Sequence, residues 1–188
     1  MDEILFGSYE QGKGQQPILW QILDRKDGRI LITSKYALDA KPYNTAWEDV
    51  TWETSSIRAW LNGEFLDGAF TPEERERILE LPVTAEPNPN SSVQPGRDTV
   101  DRVFFLSVGE AEKYYKTDKA RACEPTEYSA RKGVYINGSN GCCWWWLRSP
   151  GIKSNYAAHV STFGGNYHDG CNANVGNGAV RPSMWIRI

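Results

Sequence analysis

CWWWLRSPGIKSNYAAHVSTFGGNYHDGCNANVGNGAVRPSMWIRI, residues 143–188, ends the chain. Three pieces of it, CWWWLRS, AAHVSTF and SMWIRI, are short, rich in aromatic and β-branched residues, and separated by Gly- and Asn-rich turns. That pattern reads as short strands joined by long turns, and no helical spacing occurs after residue 134. Between the two Trp-containing flanks, residues 154–180 look different. They are dominated by Asn, Gly, Ala and small polar residues and hold both histidines, His159 and His168.

Working outward from this stretch, ILFGSYE (4–10), ILWQILD (18–24) and RILITSK (29–35) read as three strands, broken by GKGQQP and the turn-like RKDG. WETSSIRAWLNGEF (52–65) reads as a helix, with Thr54 or Ser55 as N-cap, a stripe of Ile57, Trp60 and Leu61, and Gly63 at its exit. TPEERERILEL (71–81) carries a capping box, Thr71 with Glu74, and Pro72 at the first helical position. SVGEAEKYY (107–115) repeats the box with Ser107 and Glu110, and PTEYSARKG (125–133) stops at Gly133. AEPNPNSSVQPGRD (85–98) is a surface loop by composition, and VFFL (103–106) a buried strand. Strands, then short helices, then short strands, with no βαβ alternation, predict an α+β domain with a small, irregular, mostly antiparallel sheet. Residues 1–188 are read as one domain, with 154–180 as a distinct segment within it.

Charged residues at 24% and hydrophobic residues at 40% place the chain among globular rather than disordered proteins. The net charge of −3 gives no global field for nucleic acid or an anionic membrane. MDEILFGSYEQGKG has no basic region or apolar run of a signal peptide, so the expected location is the cytoplasm as synthesised, with delivery by a phage particle or to a cell surface through another route. No stretch approaches the ~18 apolar residues that span a bilayer, so membrane insertion is not expected.

No sequence device of catalysis is found: neither G-x-G-x-x-G after a strand, nor a P-loop, H-E-x-x-H or G-x-S-x-G. Cys142 or Cys143 with His159 is the one nucleophile–base pairing on offer, and nothing in the sequence orients it. Cys123, Cys142, Cys143 and Cys171 form no C-x-x-C pair and have no His at zinc spacing, so reduced thiols are expected. Glu86-Pro87-Asn88 resembles the EPN tripeptide of calcium-dependent lectins, but it stands alone in a Pro/Asn-rich turn, and D-x-[DN]-x-[DN]-G is absent. The expectation is a protein that is not an enzyme, with no cofactor and no metal.

Residues 154–180 contain no Lys, Glu, Gln, Trp or Met, although these types make up 38 of the 188 residues. Under uniform composition such a gap has a probability of roughly a few in a thousand, and polar loops ordinarily welcome Lys, Glu and Gln. Codons explain it. Randomising both adenines of an Asn codon, AAC or AAT, reaches fifteen residue types, and the five it excludes, Lys, Glu, Gln, Trp and Met, are the five missing here.

Such adenine-directed change marks the targets of diversity-generating retroelements. The blocks ILFGSY…PILWQILD, LITSKYALDAKPYN, TWETSSIRAWLN, DRVFFLS, WWWLRSPG and GAVRPSMWI, the last two above all, resemble the variable proteins of such elements, a gut-bacterial and phage group with a C-type-lectin-like fold. The resemblance spans nearly the whole chain. It implies a scaffold at Trp145, Trp146, Leu147, Arg148, Ser149, Pro150, Gly151, Val180, Arg181, Pro182 and Trp185. It implies diversified, ligand-binding positions at Tyr156, His159, Ser161, Thr162, Phe163, Asn166, Tyr167, His168, Asp169, Cys171, Asn172, Asn174 and Asn177. Ala157, Ala158, Val160, Gly164, Gly170, Val175 and Gly178 between them suit a scaffold role.

Many residues change together without harm only where none supports the fold, so these side chains are expected to face solvent. Arg148 and Arg181 are either buried and bonded to backbone carbonyls or ordinary surface arginines. The implied function is binding of a macromolecular target, a protein rather than a nucleic acid, by a chain for which a monomer is favoured. The rivals are a calcium-dependent sugar lectin and a relative of formylglycine-generating enzymes. The latter use a spaced cysteine pair that the adjacent Cys142 and Cys143 do not match.

Overall fold

The computed structural model describes residues 1–188. β1 (Glu3–Glu10), β2 (Gln15–Lys26) and β3 (Arg29–Ser34) form an antiparallel meander, as the apolar runs and the RKDG turn predict. The last strand of the chain, Ser183–Arg187, pairs antiparallel with β3 and also with the short strand Val103–Phe104. One five-stranded antiparallel sheet thus joins both ends of the chain.

Numbered in order, the remaining strands are β4 (Asp39–Ala40), β5 (Leu81–Val83), β6 (Thr99–Asp101), β7 (Val103–Phe104), β8 (Trp145–Pro150), β9 (Tyr156–Val160), β10 (Asn166–Asn172), β11 (Ala179–Val180) and β12 (Ser183–Arg187). The second five-stranded sheet runs β10-β9-β8-β11-β4, with β8 and β11 its one parallel pair, and β5 and β6 form a separate ribbon. The β content is therefore more extensive than the single small sheet expected. The architecture is α+β with mostly antiparallel sheets.

The helices are α1 (Ser56–Trp60), a π-helical turn (Leu61–Phe65), α2 (Leu66–Ala69), α3 (Pro72–Arg77), α4 (Val108–Tyr114), α5 (Asp118–Arg121) and α6 (Glu127–Arg131). Ser55 caps α1, but the helix does not end at Gly63. It passes through the π turn to Ala69, where Phe70 turns extended. α3 and α4 carry the two capping boxes read from the sequence. The helix expected over 71–81 stops at Arg77, because Ile78 adopts extended geometry and bridges Ile186 of β12. Burial of Ile78 against the central strand outweighs its place in a helical pattern.

A single cluster of 41 buried apolar residues joins the two sheets and the helices. Trp145 and Trp146 of β8 lie at its centre, fully buried. Their indole N–H groups donate to the carbonyls of Arg121 (3.1 Å) and Lys41 (2.9 Å), so the aromatic packing leaves no polar atom stranded. Arg148 and Arg181 are buried. Arg148 donates to the carbonyls of Phe105 (2.9 Å) and Thr84 (3.2 Å) and pairs with Glu110, while Arg181 donates to those of Ser34 and Arg121, both at 3.0 Å. Of the two alternatives for these arginines, the structure selects the internal one.

Candidate functional site

Residues 156–172 form a hairpin, β9 and β10, on the outer edge of the second sheet. β10 has no strand beyond it. The hairpin is seated on fixed structure at both ends. At its turn, Gly164 lies against α5, where its carbonyl accepts from Arg121 Nε at 2.7 Å. At its open end, the amide of Ala173 bonds to the carbonyl of Asn155, and the amide of Asn44 to that of Ala173, both at 2.9 Å.

The pairing is irregular between Tyr167 and Cys171, where β10 carries extra residues against β9. Gly170 allows this bulge: its φ is +71°, and a Cβ there would lie 2.3 Å from the Ala157 carbonyl oxygen. Ala157, Ala158 and Val160 are fully buried.

Trp146, His159 and Tyr167 stand opposite one another across β8, β9 and β10. Their rings, with that of Trp144, form a continuous row. Trp144 meets Trp146 edge-on at 4.7 Å, His159 lies 4.9 Å from Trp144, and Tyr167 stacks on His159 at 5.0 Å. The row runs from the core to a Tyr167 that is 52% exposed. Phe163, 64% exposed, projects from the turn, and Asp169 is exposed on β10.

Tyr156, His159, Ser161, Asn166, His168, Cys171, Asn172, Asn174 and Asn177 are half-buried. Thr162 departs from the expectation. It is 8% exposed, and its hydroxyl accepts from Asn137 Nδ2 at 3.1 Å while its carbonyl accepts from Asn140 Nδ2 at 2.9 Å. It fastens the hairpin turn to the 137–140 turn, so it faces inward.

The thirteen positions also do not share one face. Asn166 and His168 turn toward α4, where Asn166 Nδ2 donates to Glu112 at 3.1 Å and His168 Nε2 lies 3.6 Å from the same carboxylate. His159 and Tyr167 lie on the opposite face. Eleven of them lie on the β9–β10 hairpin at the sheet edge, and Asn174 and Asn177 lie in the loop that leads from it to β11.

Burial between two rings pushes the His159 imidazole down to about 4, so it is neutral at pH 7. Burial likewise pushes the Cys171 thiol up to about 12. His159 Nδ1 has no hydrogen-bond partner, and neither Cys142 nor Cys143 bonds to the ring: their thiols donate to the carbonyls of Asn140 and Cys123. The cysteine–histidine pairing weighed from the sequence is not assembled.

The unfolded imidazole titrates near 6.5 and the folded one near 4, so between those values the unfolded chain binds more protons. His159 therefore supports the fold fully above pH 6.5 and loses that contribution as pH falls to 4. His159→Gln is expected to remove about 3 kcal/mol of the acid-side decline, read as the difference between the two proteins' stability–pH curves from 7 to 4.

Glu86 and Asn88 of the EPN tripeptide both serve the frame. Glu86 accepts from the Ser107 hydroxyl. Asn88 is buried, and its Nδ2 donates to the carbonyls of Pro150 (2.8 Å) and His168 (2.7 Å). The 85–98 loop is thereby pinned to the end of β8 and to β10.

Trp47, 72% exposed, was not singled out from the sequence. Its loop is fixed to the hairpin's open end by the Asn44–Ala173 bond and by the Val50 amide bonding to the Ser154 carbonyl at 2.9 Å. A large apolar side chain in the polar run NTAWED is the signal that marks it.

No curated protein and no solved structure matches the chain. One family does, that described as a domain of unknown function, DUF6273, over residues 27–188. This span takes in both five-stranded sheets apart from β1 and β2, and it includes the whole β9–β10 hairpin. The chain belongs to the DUF6273 family.

Proposed function

We propose that this is a target-binding protein of C-type-lectin-like fold whose contact surface, the β9–β10 hairpin and the loop to β11, is rewritten by adenine-directed mutagenesis of its gene. The observation that carries the reading is the absence of Lys, Glu, Gln, Trp and Met from residues 154–180. The placement of those residues supports it: twelve of the thirteen named side chains are exposed or half-buried on the edge hairpin and the loop after it, while Ala157, Ala158 and Val160 lie inside and the glycines in turns or bulges. Tyr156, Phe163 and Tyr167 supply contact area at low entropic cost, and Ser and Asn supply adaptable hydrogen bonds, the composition of a paratope. A macromolecular target, a protein above all, fits a raised and irregular edge better than a small molecule does.

Sequencing the gene's surroundings tests this. The expected finding is a reverse transcriptase and a near-identical repeat of the gene's 3′ end that differs at adenines, with Asn codons opposite most of the thirteen positions. Differences spread evenly over all four bases would refute it.

The same reading makes the large side chains dispensable to folding. Changing Tyr156, Phe163 and Tyr167 together to Ala is expected to move Tm by less than about 4 °C in a thermal melt, and a fall beyond about 8 °C would contradict an external role.

A further inference from the structure

The largest cavity, about 670 Å³, opens between the loop after β3, α5 and the 140–142 turn, beside Phe163 of the hairpin turn. Arg181 lies in its wall, 1% exposed, with no carboxylate within salt-bridge distance. The guanidinium is stacked between Tyr115 and Trp145, at 5.1 and 4.7 Å. Its acceptors are neutral: the carbonyls of Ser34 and Arg121, Gln21 Oε1 (2.9 Å) and the Tyr115 hydroxyl (3.0 Å). Four bonds leave one of its five N–H groups without an acceptor. The ionisable group of opposite sign that acts on it most is the buried Cys123 thiol, which burial would push up but the Cys143 thiol and the Arg181 charge hold below its usual range. A buried guanidinium with no carboxylate partner favours an anion brought to it.

The rest of the cavity supplies what an anion needs. Gln21 spends its amide oxygen on Arg181 and Tyr115, which leaves its N–H groups unspent at the wall. Lys119 is exposed and unpaired, and Lys35 is partnered by Glu3 at 2.9 Å. Glu124, exposed at the rim, is the one carboxylate in the lining, and it disfavours ligands of high negative charge. Phe163 and the alanines of α5's flank add an apolar side.

We infer that this cavity is a binding site for a small monocarboxylate with an apolar body, its carboxylate held by Lys119 and the Gln21 amide over the buried Arg181 charge. The site goes beyond the rewritten surface and does not depend on it: only Phe163 is common to both.

Calorimetric titration with sodium benzoate at fixed ionic strength tests it, with sodium citrate as the multivalent comparison. Benzoate is expected to bind at about millimolar Kd or tighter, with citrate and the Lys119→Glu variant each at least about tenfold weaker. Lys119 is exposed and bonded to nothing, so its variant is expected to melt within about 1 °C of the parent in chloride, which separates lost binding from lost folding. Arg181→Gln is expected to abolish binding, and if it does not fold, Lys119→Glu alone decides. No heat of binding to the parent protein, or equal affinity in parent and Lys119→Glu, would overturn the inference.

Discussion

Arg148→Met is expected to destabilise the protein by about 3–5 kcal/mol, a large part of the stability of any single domain. Met matches the stem of the side chain and removes the charge. Three partners then lose their donor: the Phe105 carbonyl at the end of β7, the Thr84 carbonyl after β5, and the Glu110 carboxylate. Glu110 closes the capping box of α4 by accepting from the Ser107 amide at 3.0 Å, so its carboxylate stays where it is and becomes an uncompensated charge at a half-buried site. Adding Glu110→Gln should recover part of the loss, because the double variant no longer confines an unpaired anion. Chemical denaturation of the parent, both single variants and the double variant reads the coupling. Strict additivity would show that the pair contributes nothing beyond its separate packing.

Gly164→Ala is expected to cost about 3 kcal/mol or more, equivalent to roughly 6–12 °C of Tm in a chain of this size. Two faults coincide at this position. The φ of +87° is one that residues with a Cβ rarely adopt, and the added carbon would lie 1.7 Å from the carbonyl oxygen of Asp118, with the backbone of Ala122 also close. Neither neighbour is a flexible side-chain tip, so α5 must move, and with it Arg121, whose guanidinium holds the Gly164 carbonyl. Gly165→Ala is the control. A Cβ there meets Ser161 Oγ only at 3.6 Å, and the expected change is within about 1 kcal/mol. Equal effects at the two glycines, measured by thermal melts, would show that the hairpin turn is not tightly seated on α5.

Local chemistry in the sequence marked what local chemistry decides. Both capping boxes, the Ser55 cap, the Gly133 stop and the first meander follow from side chains within a few residues of one another. The end of α3 did not, because the competitor for Ile78 is Ile186, more than a hundred residues away. β4 and β11 are two residues long and show no period at all, and the insertion of β12 between β3 and β7 is a choice among distant partners. Gly63 reads as a helix stop, yet the apolar Leu61, Phe65 and Leu66 carry the chain on through a π turn into the core.

At the site, the missing residue types marked the segment, and the small or apolar character of Ala157, Ala158 and Val160 marked its inner positions. Composition does not say which way a Thr points, so Thr162 was placed outside when it binds the 137–140 turn. Nor does it reveal Trp47, which is brought to the hairpin by bonds from Asn44 and Val50.

The proposed division between a frame that keeps its shape and an edge that is free to change is most directly measured on a library. In it the twelve positions other than Thr162 are re-encoded at once by codons ending in C or T, with Gly164, Gly170 and the buried alanines kept. Melting a few dozen random members should find most of them folded, with Tm within about 5 °C of the parent. If most were unfolded, those side chains would be holding the protein together, and the hairpin edge would not be a surface that evolution can rewrite.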